Sequence, residues 1–228
     1  MNLVITGANR GIGLELTRQS LARGNTVHAG ARDPAQAREL TALVGASGGR
    51  LHVHALDVAS DESVRAFAAA LSGPVDLLIN NAGMRTRRDN LEDLSIEDAQ
   101  QMLQVNAIGT LRVTRALLPR LREARGAKIA SLSSGLGSIA DNTSGGSYGY
   151  RMSKAALNMA MRSLAQDLRG EGLIAVAISP GWVQTDMGGS SAPLQASESA
   201  AGLLAVLDRL TLPDSGSFFD FRGERIAW

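Results

Sequence analysis

The run Thr6-Gly7-Ala8-Asn9-Arg10-Gly11-Ile12-Gly13 lies between an apolar stretch, Leu3 to Ile5, and a helical pattern that continues over residues 12–23. Glycines at such a turn leave backbone N–H groups free and remove the Cβ atoms that would obstruct a pyrophosphate at the start of a helix. A strand before the turn and a helix after it are the context that a dinucleotide-binding loop requires. The run therefore predicts a dinucleotide site, with an ordinary glycine-rich turn as the alternative. The residues expected to line it are Gly7, Asn9, Arg10, Gly11, Ile12 and Gly13.

The rest of the chain alternates short β-branched runs with longer segments rich in alanine and leucine. Such alternation predicts βαβ units and a parallel sheet covered by helices on both faces. We therefore expect an α/β protein, a doubly wound parallel sheet in a single Rossmann-fold domain spanning residues 1–228. The predicted strands are Leu3–Ile5, Thr26–Ala29, Leu51–Ala55, Val75–Ile79, Lys128–Ser131 and Ile174–Ile178, and the predicted helices are 12–23, 34–44, 61–71, 91–123 and 147–169.

Composition excludes several classes of protein. The chain has no cysteine and a formal net charge of +1, so disulfides and thiol catalysis are excluded and nucleic-acid binding is not favoured. No apolar stretch reaches the roughly 20 residues that span a bilayer, and the first strand leaves no room for a leader, so a cytoplasmic location is expected.

His52 and His54 share one strand face without a third ligand nearby, which favours strand packing over a metal site. The last histidine, His54, precedes every candidate serine, which argues against a serine hydrolase.

The choice between NAD and NADP is made just after the second predicted strand, at Arg32 and Asp33. Asp33 precedes Pro34 and is followed three residues later by Gln36, which predicts that its carboxylate caps a helix. Arg32, aided by Arg10, is then expected to hold a 2′-phosphate, which favours NADP(H) over NAD(H). The alternative is that both arginines are solvated surface groups.

Tyr150 and Lys154 are four residues apart in a predicted helix and therefore share one face. A tyrosine with an ordinary pKa near 10 is a poor acid–base catalyst at neutral pH. A neighbouring ammonium favours the phenolate and lowers that pKa, which suits acid–base chemistry. Tyr148 lacks such a partner, so Tyr150 is the candidate.

Three motifs occur in order along the chain, the glycine-rich run, Asn80-Asn81-Ala82-Gly83 and Tyr150-Arg151-Met152-Ser153-Lys154. Together they resemble the classical short-chain dehydrogenase/reductases over essentially the whole chain. The features from Tyr150 to Asn158 and from Pro180 to Met187, with a short tail ending in Trp228, resemble the Sniffer / C-factor-like carbonyl reductase subgroup.

The resemblance implies roles for further residues. Ser134 would hold the substrate oxygen, with Ser133 and Ser138 as rivals because the interval to Tyr150 is longer than usual. Asn106 would hold a proton-relay water near Lys154, or only satisfy a gap in the backbone hydrogen bonds. Ala31, at the acidic position of NAD-preferring members, also favours NADP(H). Asp57 would contact the adenine, or merely cap a turn. The remaining cofactor contacts implied are Val58, Asn81, Ala82, Gly83, Tyr150, Lys154, Pro180, Val183 and Thr185.

The resemblance also implies an NADPH-dependent oxidoreductase that transfers a hydride between the nicotinamide and a small carbonyl or alcohol substrate, with Tyr150 as general acid and base. A short, small and polar substrate loop near 187–200 suggests an open site. The segments 91–123 and 147–169 commonly pair between subunits in this family, so a homodimer or homotetramer is expected. The alternative function is a non-catalytic NADP(H)-binding sensor or signalling protein; the complete set Asn106, Ser134, Tyr150 and Lys154 favours turnover.

Overall fold

Seven parallel strands form one sheet in the computed structural model, which describes residues 1–228. Their order across the sheet is β3-β2-β1-β4-β5-β6-β7. This confirms the predicted doubly wound α/β fold. The strands are β1 (Asn2–Thr6), β2 (Thr26–Ala31), β3 (Leu51–Ala55), β4 (Leu77–Asn80), β5 (Lys128–Leu132), β6 (Ile174–Ser179) and β7 (Phe218–Asp220).

Seven α-helices connect the strands. Serine caps begin two of them, because Ser60 accepts the Ser63 N–H at α3 and Ser95 accepts the Asp98 N–H at α4. None of the helices is long and apolar enough to cross a membrane. The helices are α1 (Gly11–Ala22), α2 (Arg38–Ala46), α3 (Asp61–Ala70), α4 (Ile96–Leu103), α5 (Gly109–Glu123), α6 (Tyr148–Asp167) and α7 (Ala196–Arg209).

The structure differs from the predicted elements in several places. The predicted helix 91–123 begins only at Ile96 and is two helices joined by a π-helical turn, Gln104–Ile108. The predicted helix 34–44 is a 3₁₀ turn, Pro34–Gln36, followed by α2. The predicted strand at Val75 begins two residues later, at Leu77. The helix α7 and the edge strand β7 were not among the predicted elements; β7 has only three residues and is recognisable through its pairing with β6.

The sheet separates two apolar cores. On one face, buried side chains of α1, α2 and α7, such as Leu16, Leu40 and Leu203, pack against the strands. On the other face, α3, α5 and α6 contribute Phe67, Leu117, Met161 and their neighbours. Burial on both faces explains why the central strands are apolar without alternation.

The order of the strands reverses between β1 and β4: β2 and β3 lie on one side of β1, and β4 to β7 lie on the other. β1 pairs with β2 on one side and with β4 on the other, so the connections leaving these strands diverge at their carboxyl ends. Ligands of open α/β sheets bind in the crevice at such a switch point. The glycine-rich run follows β1 and the Asn81-Ala82-Gly83 motif follows β4, so both lie at this crevice.

Candidate active site

Tyr150 and Lys154 lie on the first turns of α6, and the structure buries both, at 7% and 5% exposure. The Lys154 Nζ lies 5.7 Å from the centre of the Tyr150 ring and donates a hydrogen bond to the Leu132 carbonyl at 2.7 Å. Burial lowers the pKa of Lys154 to about 8. Burial also raises the pKa of Tyr150, opposed by a hydrogen bond with Ser134 and by the charge of Arg85. The predicted lowering of the Tyr150 pKa by Lys154 is therefore not found; Ser134 and Arg85 act in that direction.

Ser134 follows the end of β5, in the extended conformation that precedes a 3₁₀ turn, Gly135–Gly137. The oxygen of Ser134 accepts the Leu136 N–H at 3.2 Å, and its two rivals also make hydrogen bonds within the protein. The Ser133 hydroxyl donates to Asn158 Oδ1 at 2.6 Å, and the Ser138 oxygen accepts the Asp141 N–H at 3.1 Å. Ser134 is only partly buried, whereas Ser133 and Ser138 are 3% and 2% exposed, and of the three only Ser134 acts on the pKa of Tyr150, which its hydrogen bond lowers. The geometry therefore favours Ser134 as the serine of the site.

Asn106 lies in the π-helical turn and is 1% exposed. Its amide Nδ2 donates to the Met84 carbonyl and to Ser153 Oγ, and its Oδ1 accepts the Met84 N–H. Both amide donors are thus used within the protein. Asn106 therefore satisfies backbone hydrogen-bonding groups, which is the alternative that the sequence left open. A role in proton relay stays a prediction.

Asp89 is a site residue that sequence reasoning missed. It is 3% exposed, and its carboxylate accepts the N–H groups of Gly149 at 2.6 Å and Tyr150 at 3.0 Å, while its carbonyl accepts the Tyr148 N–H. Ser147, at the N-cap position, makes no side-chain cap. A carboxylate at a helix N-terminus is stabilised by the free N–H groups and by the helix dipole. Asp89 therefore holds the turn that carries Tyr150, from a position 60 residues earlier in the chain.

Arg85 is a second residue that the motifs do not indicate. Its guanidinium lies over the Tyr150 ring at 5.2 Å from the ring centre and donates to Ser147 Oγ at 3.0 Å. It follows the Asn81-Ala82-Gly83 motif by two residues, but nothing local to the sequence shows that its side chain turns toward α6.

The glycine-rich turn and the segment after β4 pack directly against each other. Asn81 donates its side-chain amide to the carbonyls of Thr6 and Gly7, and the Thr6 hydroxyl accepts the N–H groups of Asn81 and Ala82. Gly7 has a φ of +63°, and a Cβ there would lie 2.9 Å from the Ala82 backbone. A side chain at this position would therefore force the two segments apart.

The site fits a nicotinamide dinucleotide. Arg10, at the N-cap of α1, makes no side-chain cap, which leaves the first N–H groups of the helix free for a pyrophosphate. An ammonium has three donors, and the buried Lys154 uses one of them, on Leu132. Gly83 keeps space open beside it, since a Cβ there would lie 3.7 Å from Lys154 Nζ and 3.3 Å from Asn106 Oδ1. These features would accept ribose hydroxyl groups next to Lys154.

Three residues were expected to select the cofactor, and two of them, Asp33 and Arg10, already bind other groups of the protein. Asp33 Oδ1 accepts the N–H groups of Ala35 and Gln36, as the predicted cap requires. Arg32 is exposed and makes no ion pair. Arg10 does not stand free beside it as expected: it forms an exposed ion pair with Asp186 at 2.7 Å.

Two residues after β3 were expected at the adenine. Asp57 Oδ1 accepts the Ala59 N–H at 2.9 Å, so this carboxylate does cap a turn, the alternative that the sequence left open. Val58 is 7% exposed and packs against α5, where a Cβ on Gly109 would come within 2.9 Å of its methyl group.

The segment after β6 lies across the crevice from the glycine-rich turn. A Cβ on Gly11 would lie 3.1 Å from the Thr185 methyl group, and Val183 bridges to Leu194. Pro180 accepts the Ser199 hydroxyl through its carbonyl. The predicted loop 187–200 ends early, because α7 begins at Ala196.

Two large apolar side chains of the segment after β6 are exposed. Trp182 is 57% exposed, and Met187, at the start of the loop that was expected to be small and polar, is 45% exposed. The Trp182 indole donates to the Gly188 carbonyl at 2.8 Å, which holds its ring against the start of the loop.

Comparisons with known proteins agree with this geometry. A family model described as short chain dehydrogenase matches residues 1–195. The C-signal protein of Myxococcus xanthus is 51% identical over 166 residues, which cover 72% of this chain and 100% of that protein. The carbonyl reductase Sniffer of D. melanogaster is 32% identical, covers 100% of this chain and 99% of its own, and has a TM-score of 0.94. The NADPH-bound carbonyl reductase from chicken fatty liver is 35% identical, with coverage of 100% and 98% and a TM-score of 0.94.

The family model covers well over half of the chain, and these structures match its full length. The glycine-rich turn, the Asn81-Ala82-Gly83 segment and the Tyr150–Lys154 pair lie together at the switch point of the sheet. The chain belongs to the short-chain dehydrogenase family.

Proposed function

We propose that this protein is an NADPH-dependent oxidoreductase that interconverts a carbonyl group and an alcohol on a small organic molecule. The observation that carries the proposal is the position of Tyr150 and Lys154, which are both buried on the first turns of α6 with the Lys154 Nζ 5.7 Å from the centre of the Tyr150 ring. A sensor would need only the residues that hold the cofactor. The added Tyr150–Ser134 pair supplies a proton donor and an oxygen-binding group, which are needed for turnover.

Each side chain has a definite task in this proposal. When bound, the cofactor supplies the hydride or accepts it. Burial keeps the Tyr150 phenol protonated at neutral pH, so it can give its proton to the substrate oxygen in the direction of reduction. Ser134 donates a hydrogen bond to the same oxygen. Lys154 holds the ribose through its free N–H groups, and Asn106 fixes Met84 and, with a water, would help to return the proton from solvent.

The preference for NADPH rests on Arg32. The Asp33 carboxylate is occupied by two backbone N–H groups, so it does not compete for a ribose hydroxyl. Arg32 is exposed at the end of β2, where a 2′-phosphate binds in this fold. The chicken relative, whose full length the chain matches, was crystallised with NADPH bound.

The test is a fluorescence titration with NADPH and NADH on the wild type and on Arg32→Ala, followed by NADPH oxidation with a panel of aldehydes and ketones. We expect tighter binding of NADPH, a loss of about tenfold or more for NADPH alone in Arg32→Ala, and turnover that Tyr150→Phe abolishes. Equal affinities for the two cofactors would contradict the role of Arg32. Binding of NADPH without turnover of any carbonyl compound would favour the sensor.

A further inference from the structure

The cation nearest the proposed acid–base group is one that none of the family motifs contains. The guanidinium of Arg85 lies over the face of the Tyr150 ring at 5.2 Å from its centre. Its charge is close enough to favour the phenolate form of Tyr150. Arg85 is exposed, so its guanidinium is accessible to solvent while it lies beside the buried Tyr150.

The backbone on both sides of Arg85 is held in place. Met84 is fixed at its N–H and its carbonyl by the buried Asn106. Asp89, a few residues later, is fixed to the first turn of α6. The side chain itself is oriented by one hydrogen bond to Ser147, the only residue other than glycine with a positive φ. Buried and partly buried contacts therefore fix the backbone around Arg85, and an exposed hydrogen bond holds the guanidinium beside Tyr150.

Arg85 retains most of its hydrogen-bonding capacity. A guanidinium has five N–H donors, and the protein uses one of them, on Ser147. No carboxylate pairs with Arg85, and none pairs with Arg87 or Arg88 on the same loop. The nearest carboxylate in the sequence, Asp89, is turned into α6. The guanidinium of Arg85 is therefore an unpaired positive charge beside Tyr150, in a chain whose net charge is only +1.

We propose that Arg85 binds an anionic group next to the reacting carbonyl, so that the preferred substrates are oxo acids with a carboxylate one or two carbons from that carbonyl. This inference rests on the proposed function, because it assigns the substrate class of the same site. A guanidinium binds a carboxylate through two parallel hydrogen bonds, and such charge-assisted bonds are stronger than neutral ones. The anion would thus orient the carbonyl toward Ser134 and Tyr150.

The experiment compares matched substrates on matched variants. The values of kcat/KM for NADPH oxidation are measured with 2-oxobutyrate and with its methyl ester, on the wild type, Arg85→Gln, Arg85→Lys and Arg87→Gln. Removal of the Arg85 charge also changes the pKa of Tyr150, but that change affects both substrates alike. The intrinsic reactivity of each substrate is the same for all four proteins. The ratio of acid to ester, compared between proteins, therefore isolates the binding of the anion.

We expect the ratio of acid to ester to fall about tenfold in Arg85→Gln, which corresponds to about 1.4 kcal/mol. The loss should appear mainly in KM for the acid, Arg85→Lys should restore part of it, and Arg87→Gln should leave the ratio unchanged. An unchanged ratio in Arg85→Gln, with the ester still reduced, overturns this inference and leaves the proposed function standing. Failure of the wild type to reduce either compound or any member of the aldehyde and ketone panel overturns both.

Discussion

The ionisation of Lys154 and Tyr150 is set by burial in opposite directions. Burial lowers the pKa of Lys154 to about 8 and raises that of Tyr150. Reduction needs the protonated phenol and, in the proposed mechanism, the ammonium. At pH 7 both groups carry their protons, and Lys154 is the first to lose its proton as the pH rises.

We therefore expect kcat/KM for carbonyl reduction to fall as the pH rises through about 8. The measurement is a pH profile of NADPH oxidation at saturating cofactor. Lys154→Met should be nearly inactive at every pH. A wild-type profile that stays flat to pH 10 would contradict the assignment of this titration to Lys154.

Asp89 connects the loop after β4 to the helix that carries Tyr150. We expect Asp89→Ala to lower the free energy of unfolding by about 1–3 kcal/mol, because two buried N–H groups lose a charged acceptor. One of these two N–H groups belongs to Tyr150 itself. We therefore expect kcat to fall at least tenfold, while the affinity for NADPH changes little. Urea denaturation and steady-state kinetics measure the two effects.

Ser60→Ala is the matched control for Asp89. Ser60 caps α3 through the Ser63 N–H, and its loss should cost about 1 kcal/mol of stability without changing kcat. An equal loss of kcat in Ser60→Ala and Asp89→Ala would show that Asp89 acts on activity only through stability.

At the scale of elements, β2 and β3 bring all three histidines of the chain together. His28 and His52 are paired in register and stack at 4.9 Å between ring centres, and His28 Nδ1 lies 3.2 Å from His54 Nε2. No three acidic, histidine or cysteine side chains are arranged to hold a metal ion. Burial, with the nearby charges of His52, His54 and Arg120, lowers the pKa of His28 to about 4. Burial also lowers the pKa of His54.

A lowered histidine pKa makes stability depend on pH. The unfolded chain gains protons below pH 6.5, whereas folded His28 resists protonation until about pH 4. Stability is therefore present at neutral pH and is lost as the pH falls between these values. Because this edge of the sheet is partly solvated, we expect a loss of about 1–2 kcal/mol. Urea denaturation at several pH values measures it, and His28→Gln should flatten the dependence; the same slope in both proteins would exclude His28 as its source.

At the scale of the whole molecule, large apolar side chains remain exposed on α5, on α6 and at the end of the π-helical turn before α5. They are Ile108, Leu111, Met152 and Met159, which are between 39% and 67% exposed. Exposed apolar surface is typical of an interface when it is contiguous. The four side chains lie within the segments 91–123 and 147–169, for which subunit contacts were expected from the sequence; the assembly itself stays a prediction.

We expect a homodimer or homotetramer in solution, with a mass by light scattering that is a multiple of 23.9 kDa. Met159→Lys should weaken the assembly, because it places a charge in an apolar contact. Val44→Lys, at an exposed apolar position on α2, should leave the mass unchanged. A monomeric wild type at micromolar concentration would contradict the expectation.

Local sequence was sufficient to predict most of the fold and the place of the recognised motifs within it. The glycine-rich turn, the Asp33 cap and the spacing of Tyr150 and Lys154 involve partners within a few residues of one another, so their geometry follows from backbone conformation and helix periodicity. The alternation of apolar runs with helical segments was likewise enough to predict a parallel sheet.

Only the tertiary structure placed the groups that come from distant parts of the chain. Asp89 meets α6 across 60 residues, Arg85 reaches Ser147 across 62, and Arg10 pairs with Asp186 across 176. The same is true of Asn106, whose single buried side chain holds Met84 and Ser153 together. Such contacts leave no period or spacing in the sequence, because they depend on which strands become neighbours and on where each loop leaves the sheet.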